Sequence, residues 1–421
     1  MYRYTELAPN DSRSEAFGRD APTRLSYAAI AGYAFWLYAF GPALALLRGE
    51  WHFSYALLGA YSALWAGGAA LAGMVFAALA RRLSRAALVW CPAAVAAVGA
   101  GLFALSRSIA FTMLGAVLLG FAGTILLTCA QAILSDRHGE RRDRALTEAN
   151  VGAAACAVLA PLLLGLLQDT PADWRAAMSL PAVLFAWLYL RYRQLPLRPA
   201  PTARPADGRA RLPLSCWLLA TLVAAGIAVE FCPVYFGAEL LATDGLRTGQ
   251  AATAMSGFYL GILAGRVGAA RLTRQAGRTV PLLCASLAVT TAGFLVFWLA
   301  ALPVLSIIGL FVCGLGVANL YPLSLALALA AAPGNEDAAN ARTQLLGGLF
   351  VIVAPYLLGT LADQLGLHAA FAVEPVLIGM CALLLVAGLR AGPPVPASQQ
   401  SQARGSGAAS SVPPGCAAPC G

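Results

Sequence analysis

The chain has no lysine and little charge of any kind. All 28 of its basic residues are arginine, aspartate and glutamate together number 19, and histidine occurs three times in 421 residues. Without lysine there is no phosphate-cradling Gly-Lys-Ser/Thr loop, which excludes a Walker-type ATP motor. His52, His138 and His368 are isolated near predicted loops, so their spacing builds neither a metal cluster nor a Cys- or Ser-based triad. No enzyme, cofactor or metal site is expected. Eight of the ten cysteines fall in apolar runs and read as small buried residues. Cys416 and Cys420 lie in the ending "CAAPCG", which lacks the cysteine fourth from the end that a prenylation box requires.

Apolar sequence is abundant. Hydrophobic residues make up 60% of the chain against 11% charged, and the mean hydropathy of +0.73 lies far from a soluble mixture. Runs long enough to cross a hydrocarbon core of about 30 Å recur between short polar breaks. Their cores lie near 25–47, 53–79, 87–106, 109–134, 146–168, 176–194, 213–240, 249–270, 279–301, 303–331, 343–366 and 369–389. The chain therefore reads as an all-α polytopic membrane protein of twelve transmembrane helices. With the N-terminal tail inside, Arg48, Arg107, Arg175 and Arg247 fall in outer loops and Arg266 within a span, which leaves 23 of the 28 arginines on the inner side. The bias of basic residues toward the cytoplasm predicts that both termini of an inner-membrane protein are cytoplasmic. The net charge of +9 follows from this topology, and no nucleic-acid partner is expected. The first 24 residues are too polar for the core of a cleaved signal peptide, so the first span is expected to direct insertion.

Residues 1–24 read as a cytoplasmic tail, 25–194 as one six-helix bundle, 195–212 as a Pro- and Arg-rich linker, 213–390 as a second bundle and 391–421 as a disordered tail. The two halves repeat one another. "APLLLG" (160–165) meets "APYLLG" (354–359) at a shift of 194, which also pairs Asp169 with Asp363, Gly120 with Gly314 and Pro181 with Pro375. A shift of 193 pairs Cys91 with Cys284, and one of 196 sets Phe40 and Gly41 on Phe236 and Gly237. Six plus six helices related by a parallel repeat is an arrangement found in transporters.

The stretches "AALARRLSR" (77–85), "AARLTRQAGR" (269–278) and "GAAACAVLAPLLLG" (152–165) carry a resemblance to the major facilitator superfamily that runs from about Leu25 to Arg390. The family's basic loop after span two keeps arginines at 82 and 85, but Arg81 stands where the family has Asp. The second copy keeps Gly277 and Arg278. "LTEANVGAAACAVLAPLLLG", "VEFCPVYFGAELL", "LAGRVGAARLTR" and "GLGVANLYPLSLALALAAAPG" resemble a poorly characterised bacterial group within it. The resemblance implies a monomeric transporter of a small organic solute, working by alternating access, with Arg82, Arg85, Arg274 and Arg278 in gating loops.

Polar groups inside the runs supply the candidate site. A charge at the bilayer centre costs at least about 2.5–3.5 kcal/mol, so Glu230 in "IAVEFCPVYFGAE" must be protonated, paired or facing water, and it is the leading proton-coupling candidate. Glu148, at the start of span five, is the second. Its place in a first turn also suits the helix dipole, and it could meet Arg82 or Arg85 in an inner gate. Substrate candidates are Tyr33 and Trp36 on one face of span one, Arg266 in span eight, Asn319 and Tyr321 in "VANLYPL", and more weakly Gln131 and Tyr259. Pro42, Pro161, Pro233, Pro322 and Pro355 are expected to open their helices and free backbone for a ligand. The leading expectation is proton-coupled efflux of a drug or metabolite through a greasy cavity. Uptake of a sugar or similar nutrient by proton symport is the alternative, favoured if polar residues converge. A sensor or scaffold would need a folded cytoplasmic domain, for which the inner segments are too short.

Overall fold

The computed structural model describes residues 18–197, 212–272, 278–300 and 302–391. Among the described residues the secondary structure is helical. The long helices are α1 (Ala21–Trp51), α2 (Tyr55–Arg82), α3 (Arg85–Leu105), α4 (Ile109–His138), α5 (Arg142–Leu167), α6 (Asp173–Tyr192), α7 (Leu214–Thr243), α8 (Thr248–Leu272) and α9 (Thr279–Leu299). The tenth run is split into α10 (Pro303–Val317) and α11 (Leu320–Ala330). Next come α12 (Glu336–Leu365), the short α13 (Leu367–Ala370) and α14 (Val373–Ala391). Ten of these segments are long and apolar enough to cross a membrane, and the chain is an all-α, multi-pass membrane protein.

Helices form because lipid offers the backbone no other hydrogen-bond partner, and their ends are set by local chemistry. Asp20 caps α1 by accepting from the Thr23 N–H at 3.1 Å and hydroxyl at 2.6 Å, and Pro22 occupies the first turn, where no N–H is needed. Ser54 and Ser84 cap α2 and α3 in the same way. Of the five deep prolines, only Pro322 adjoins a break, at 318–319. Pro42, Pro161, Pro233 and Pro355 lie in continuous helix. At those four the helix runs on past the missing N–H, which leaves the carbonyl one turn earlier without its ladder bond.

Helices α1–α6 pack on one another, as do α7–α14, and each half uses the same close approaches. Gly120 on α4 lies against the Trp65 carbonyl of α2, and a Cβ there would stand 2.1 Å from that oxygen. At the repeat-related place, Gly314 on α10 lies against the Phe258 carbonyl of α8, where a Cβ would stand at 2.2 Å. Small residues at matching positions let the backbones touch, which is how helices associate where lipid removes the hydrophobic drive.

The halves meet along α1–α7, α2–α12, α5–α8 and α1–α8. We call the end of the bundle that carries the start of α1 and the close of α14 the near end, and the opposite end the far end. At the far end the two halves touch backbone to backbone. A Cβ on Gly41 would stand 2.0 Å from the Val234 carbonyl oxygen, one on Gly165 2.3 Å from that of Gly249, and one on Gly359 2.3 Å from that of Tyr55. Beneath this layer Phe40 packs on Trp65 and Phe103, with ring centroids at 4.4 and 5.0 Å, and meets Tyr235 of the second half at 6.2 Å.

Candidate functional site

A cavity of about 130 Å³ lies on the near side of the sealed layer, between the halves. The first half supplies α1, α4 and α5, and the second supplies α8. Its polar lining is Tyr33, Tyr38, Gln131, Asn150, Tyr259 and Arg266, set among alanines of α5 and aliphatic side chains of α1, α4 and α8. Asn150 and Arg266 are exposed, so the cavity opens toward the near end. Tyr38 and Tyr259 meet edge to face at 4.8 Å, joining the halves across its floor. The Tyr33 hydroxyl lies 3.4 Å from Thr124 Oγ1.

Glu230 sits on α7 behind this wall. Arg266 and Tyr259 of α8 and Tyr38 of α1 are within its electrostatic reach. Among the described residues Glu230 and Arg266 form no ion pair with each other or with any third group. The exposed Arg266 guanidinium lines the cavity beside the Tyr38 hydroxyl, with no carboxylate in an ion pair with it among the described residues.

Four of the seven substrate candidates thus come together: Tyr33, Gln131, Tyr259 and Arg266. Trp36 does not join them. It is fully buried on the other face of α1, donating from Nε1 to the Met178 carbonyl at 2.9 Å and packing on Phe185. Three residues along a helix share a face only loosely, and the packing of α6 takes this side chain. Asn319 stands at the α10–α11 break, lines a separate crevice among α8, α9 and α10, and donates to the Gly265 carbonyl at 3.3 Å. Tyr321 is not among the lining residues, and its hydroxyl accepts from Gln344 at 2.9 Å.

Glu148 is tied to its own half. It accepts from Arg19 at 2.8 Å, Arg144 at 3.3 Å and the Tyr27 hydroxyl at 3.1 Å, and it meets neither Arg82 nor Arg85. Arg85 is buried and paired with Asp136 at 2.6 Å. Arg82 and Arg278 are exposed, and among the described residues neither side chain forms an ion pair or hydrogen bond. Arg274 lies outside the described residues. Just outside the membrane-spanning segments, partial burial works to raise the Asp20 carboxyl, but hydrogen bonds from Thr23 and the Arg137 guanidinium prevail and hold it below the usual carboxylate range.

Sequence reasoning passed over several groups that the structure brings forward. Glu239 is buried on α7 and accepts from Arg48 of α1 at 2.9 Å, an ion pair across the halves at the far end. The same guanidinium stacks over the Tyr55 ring at 3.7 Å. Asp363 on α12 accepts from the backbone N–H groups of Tyr55 and Ala56, both at 2.8 Å, and so caps α2 of the other half. Its repeat partner Asp169 stands 3.7 Å from Arg247, just before α8. The available signal was the spacing: "APLLLGLLQD" and "APYLLGTLAD" each carry a sealing glycine followed four residues later by the acid. Glu374 on α14 is fully buried, with the Cys232 thiol beside it and no cation paired with it among the described residues. Its signal was one acid five residues into the last apolar run.

The model of the Major Facilitator Superfamily matches residues 26–241 and 217–414, and the chain belongs to that superfamily. Comparison with curated protein sequences finds no match. Solved structures of the same fold include a bacterial homolog of the human lysosomal transporter Spinster in an inward-facing, unoccupied conformation, at 14% identity and a TM-score of 0.69 over 88% of this chain and 96% of that one. The nucleoside transporter NupG is similar at 15% identity and 0.68, covering 88% and 98%. A mutant of the peptide transporter POT in complex with alafosfalin is similar at 16% identity and 0.72, covering 90% and 96%.

Proposed function

We propose that this chain is a secondary active transporter that carries a small organic solute by alternating access. The observation that carries the reading is the cavity between the halves, lined from both, closed on one side by backbone contact and open on the other. The arginine bias argues that the near end is cytoplasmic, which makes this state inward-facing. With no nucleotide motif in the sequence, an ion gradient is the energy source. Glu230, unpaired at membrane depth beside the cavity, is the proton carrier. Glu148 is too firmly held by Arg19, Arg144 and Tyr27 for that role.

Six polar side chains, one of them a guanidinium, stand among apolar ones in one compact cavity, which favours capture of a solute with a polar or charged end over export of a wholly greasy one. Proton-coupled uptake is therefore the better-supported direction, against the leading expectation from sequence. The test is flux in proteoliposomes that hold a pH-sensitive dye, with a panel of sugars, organic acids, neutral amides and amphiphilic drugs. Solute-dependent proton entry in wild type, lost in Glu230→Gln, supports the reading. Proton exit as a solute enters the vesicle restores the antiport alternative, and no flux of any solute rejects transport.

A further inference from the structure

We infer that Arg266 is the anchor for an anionic group and that the cargo is a small organic monocarboxylate. This rests on the transporter reading above and adds to it the chemistry of the solute. A single cation lines the cavity; the Tyr38 phenol is its side-chain partner, and among the described residues no carboxylate forms an ion pair with it. One arginine matches one carboxylate, through two parallel N–H···O bonds, and a second negative charge would enter the site without compensation. The rest of the lining fits an apolar body: alanines 153, 154 and 157 form a shallow shelf on α5, and the edge-to-face Tyr38–Tyr259 pair stands opposite. Gln131 and Asn150, from the first half, offer hydrogen bonds to a hydroxyl or amino group at the solute's other end. Binding then draws on both halves, as a solute must if its presence is to favour their movement together.

Glu230 makes this arrangement self-consistent. The charged or titratable groups within its reach are Arg266, Tyr259 and Tyr38, so Arg266 is its one cationic neighbour there. Two carboxylates therefore compete for one guanidinium. In the loaded carrier the cargo neutralises Arg266 and Glu230 is protonated. In the empty carrier Glu230 is ionised and balances the charge of Arg266 from α7 without direct contact. Both forms present a net-neutral site to the membrane, whereas a loaded carrier with ionised Glu230, or an empty one with protonated Glu230, presents a net charge and is held back. Each anion consequently travels with one proton, so the cycle is symport and moves no net charge.

The experiment measures binding to the full-length protein in nanodiscs, using benzoate, phenylacetate and lactate against benzamide, phenylacetamide and lactamide, across a pH series. The acids are expected to bind and the amides not to. Acid affinity should weaken by about tenfold per pH unit once Glu230 ionises, because proton and anion are linked one to one. Arg266→Gln should lose about tenfold to a hundredfold in acid affinity, the scale of a lost charge-assisted pair. Glu230→Gln should bind the acids with no pH dependence and still exchange them across vesicles, but without proton-driven accumulation. Since Arg266→Gln alone leaves a buried acid uncompensated and could fail to fold, the double variant Arg266→Gln/Glu230→Gln carries the same test: it should melt like wild type and bind none of the acids. The inference is overturned if amides bind as well as acids, if no acid binds, if a folded Arg266 variant keeps acid affinity, or if pH dependence survives in Glu230→Gln. Flux of neutral solutes with no response to acids would reject the anion while leaving the transporter reading intact.

Discussion

The two ends of the bundle are built from opposite materials. At the far end, Gly41, Gly165 and Gly359 let the halves meet backbone to backbone over an aromatic layer, with a single deep ion pair, Arg48–Glu239. At the near end three ion pairs among the described residues lie within the first half: Arg19 with Glu148, Arg137 with Asp20, Arg85 with Asp136. Close packing of small residues is short-ranged and is lost all at once when the halves part. Charges already satisfied within one half contribute nothing to holding it against the other. The far end is therefore the latch of this state, and the near-end ion pairs named above can be carried along intact when the halves move.

The strongest way to break that contrast is to fill the latch. Gly41→Val puts a branched side chain where even a Cβ would stand 2.0 Å from a backbone carbonyl. Overpacking costs about 1–3 kcal/mol in a yielding core and more against backbone, so the far end should open or the fold should fail. Labelling of a cysteine introduced beside Val234, compared with the melting temperature, separates the two. Gly73→Ala, with nothing within 4 Å of its Cβ, is the control and should change neither. Next in size is Glu239→Gln. Removing one member of a buried pair costs about 3–5 kcal/mol, reduced here because the Arg48 side chain is 23% exposed. The far end should become accessible, and a change in Arg48 that relieves it, Arg48→Leu, should restore closure in the double variant.

The sequence made the twelve runs, their order and the internal repeat legible, because apolar length and spacing are direct consequences of crossing lipid. Tyr33, Gln131, Tyr259 and Arg266 were also within reach, since a polar group in a long apolar run has few other reasons to be there. What escaped was the rotation of each helix. Trp36 and Tyr38 are neighbours along α1, yet one is buried on α6 and the other lines the cavity, and nothing in their local sequence ranks them. Asn319 was placed with the site because Pro322 breaks its helix. The break is real, but it turns Asn319 toward Gly265 within its own half. The latch was missed for a different reason. Glycines in apolar runs read as packing in general, and only the structure tells which of them pack across the halves.

The repeat permits a sharper comparison. Asp363 accepts two backbone N–H bonds at 2.8 Å from the first turn of α2, while Asp169, its counterpart, is 75% exposed and 3.7 Å from Arg247. Losing a helix cap costs about 0.5–2 kcal/mol, whereas an exposed ion pair contributes about 0–1 kcal/mol and is screened by salt. Asp363→Ala should therefore raise far-end labelling several-fold, and Asp169→Ala should leave it nearly unchanged. Equal effects from the two would mean that the halves close symmetrically and that the cap has no special weight.

The smallest effect tests the near end. Arg82 and Arg278 lie on different halves, are exposed, and their side chains make no ion pair or hydrogen bond among the described residues in this state. Replacing either by Gln should leave the melting temperature unchanged, as surface substitutions away from specific contacts stay within about 0.5 kcal/mol. Their influence belongs to the other state. Closing the near end must bring two basic surfaces together, so removing one charge lowers the repulsion and favours closure. A bias of about 0.5 kcal/mol changes a two-state ratio by roughly twofold, and far-end labelling in Arg82→Gln or Arg278→Gln should rise by that factor and lose its dependence on salt. A fall in labelling would reverse the argument, because it would mean that these arginines find acidic partners when the near end closes and hold it shut.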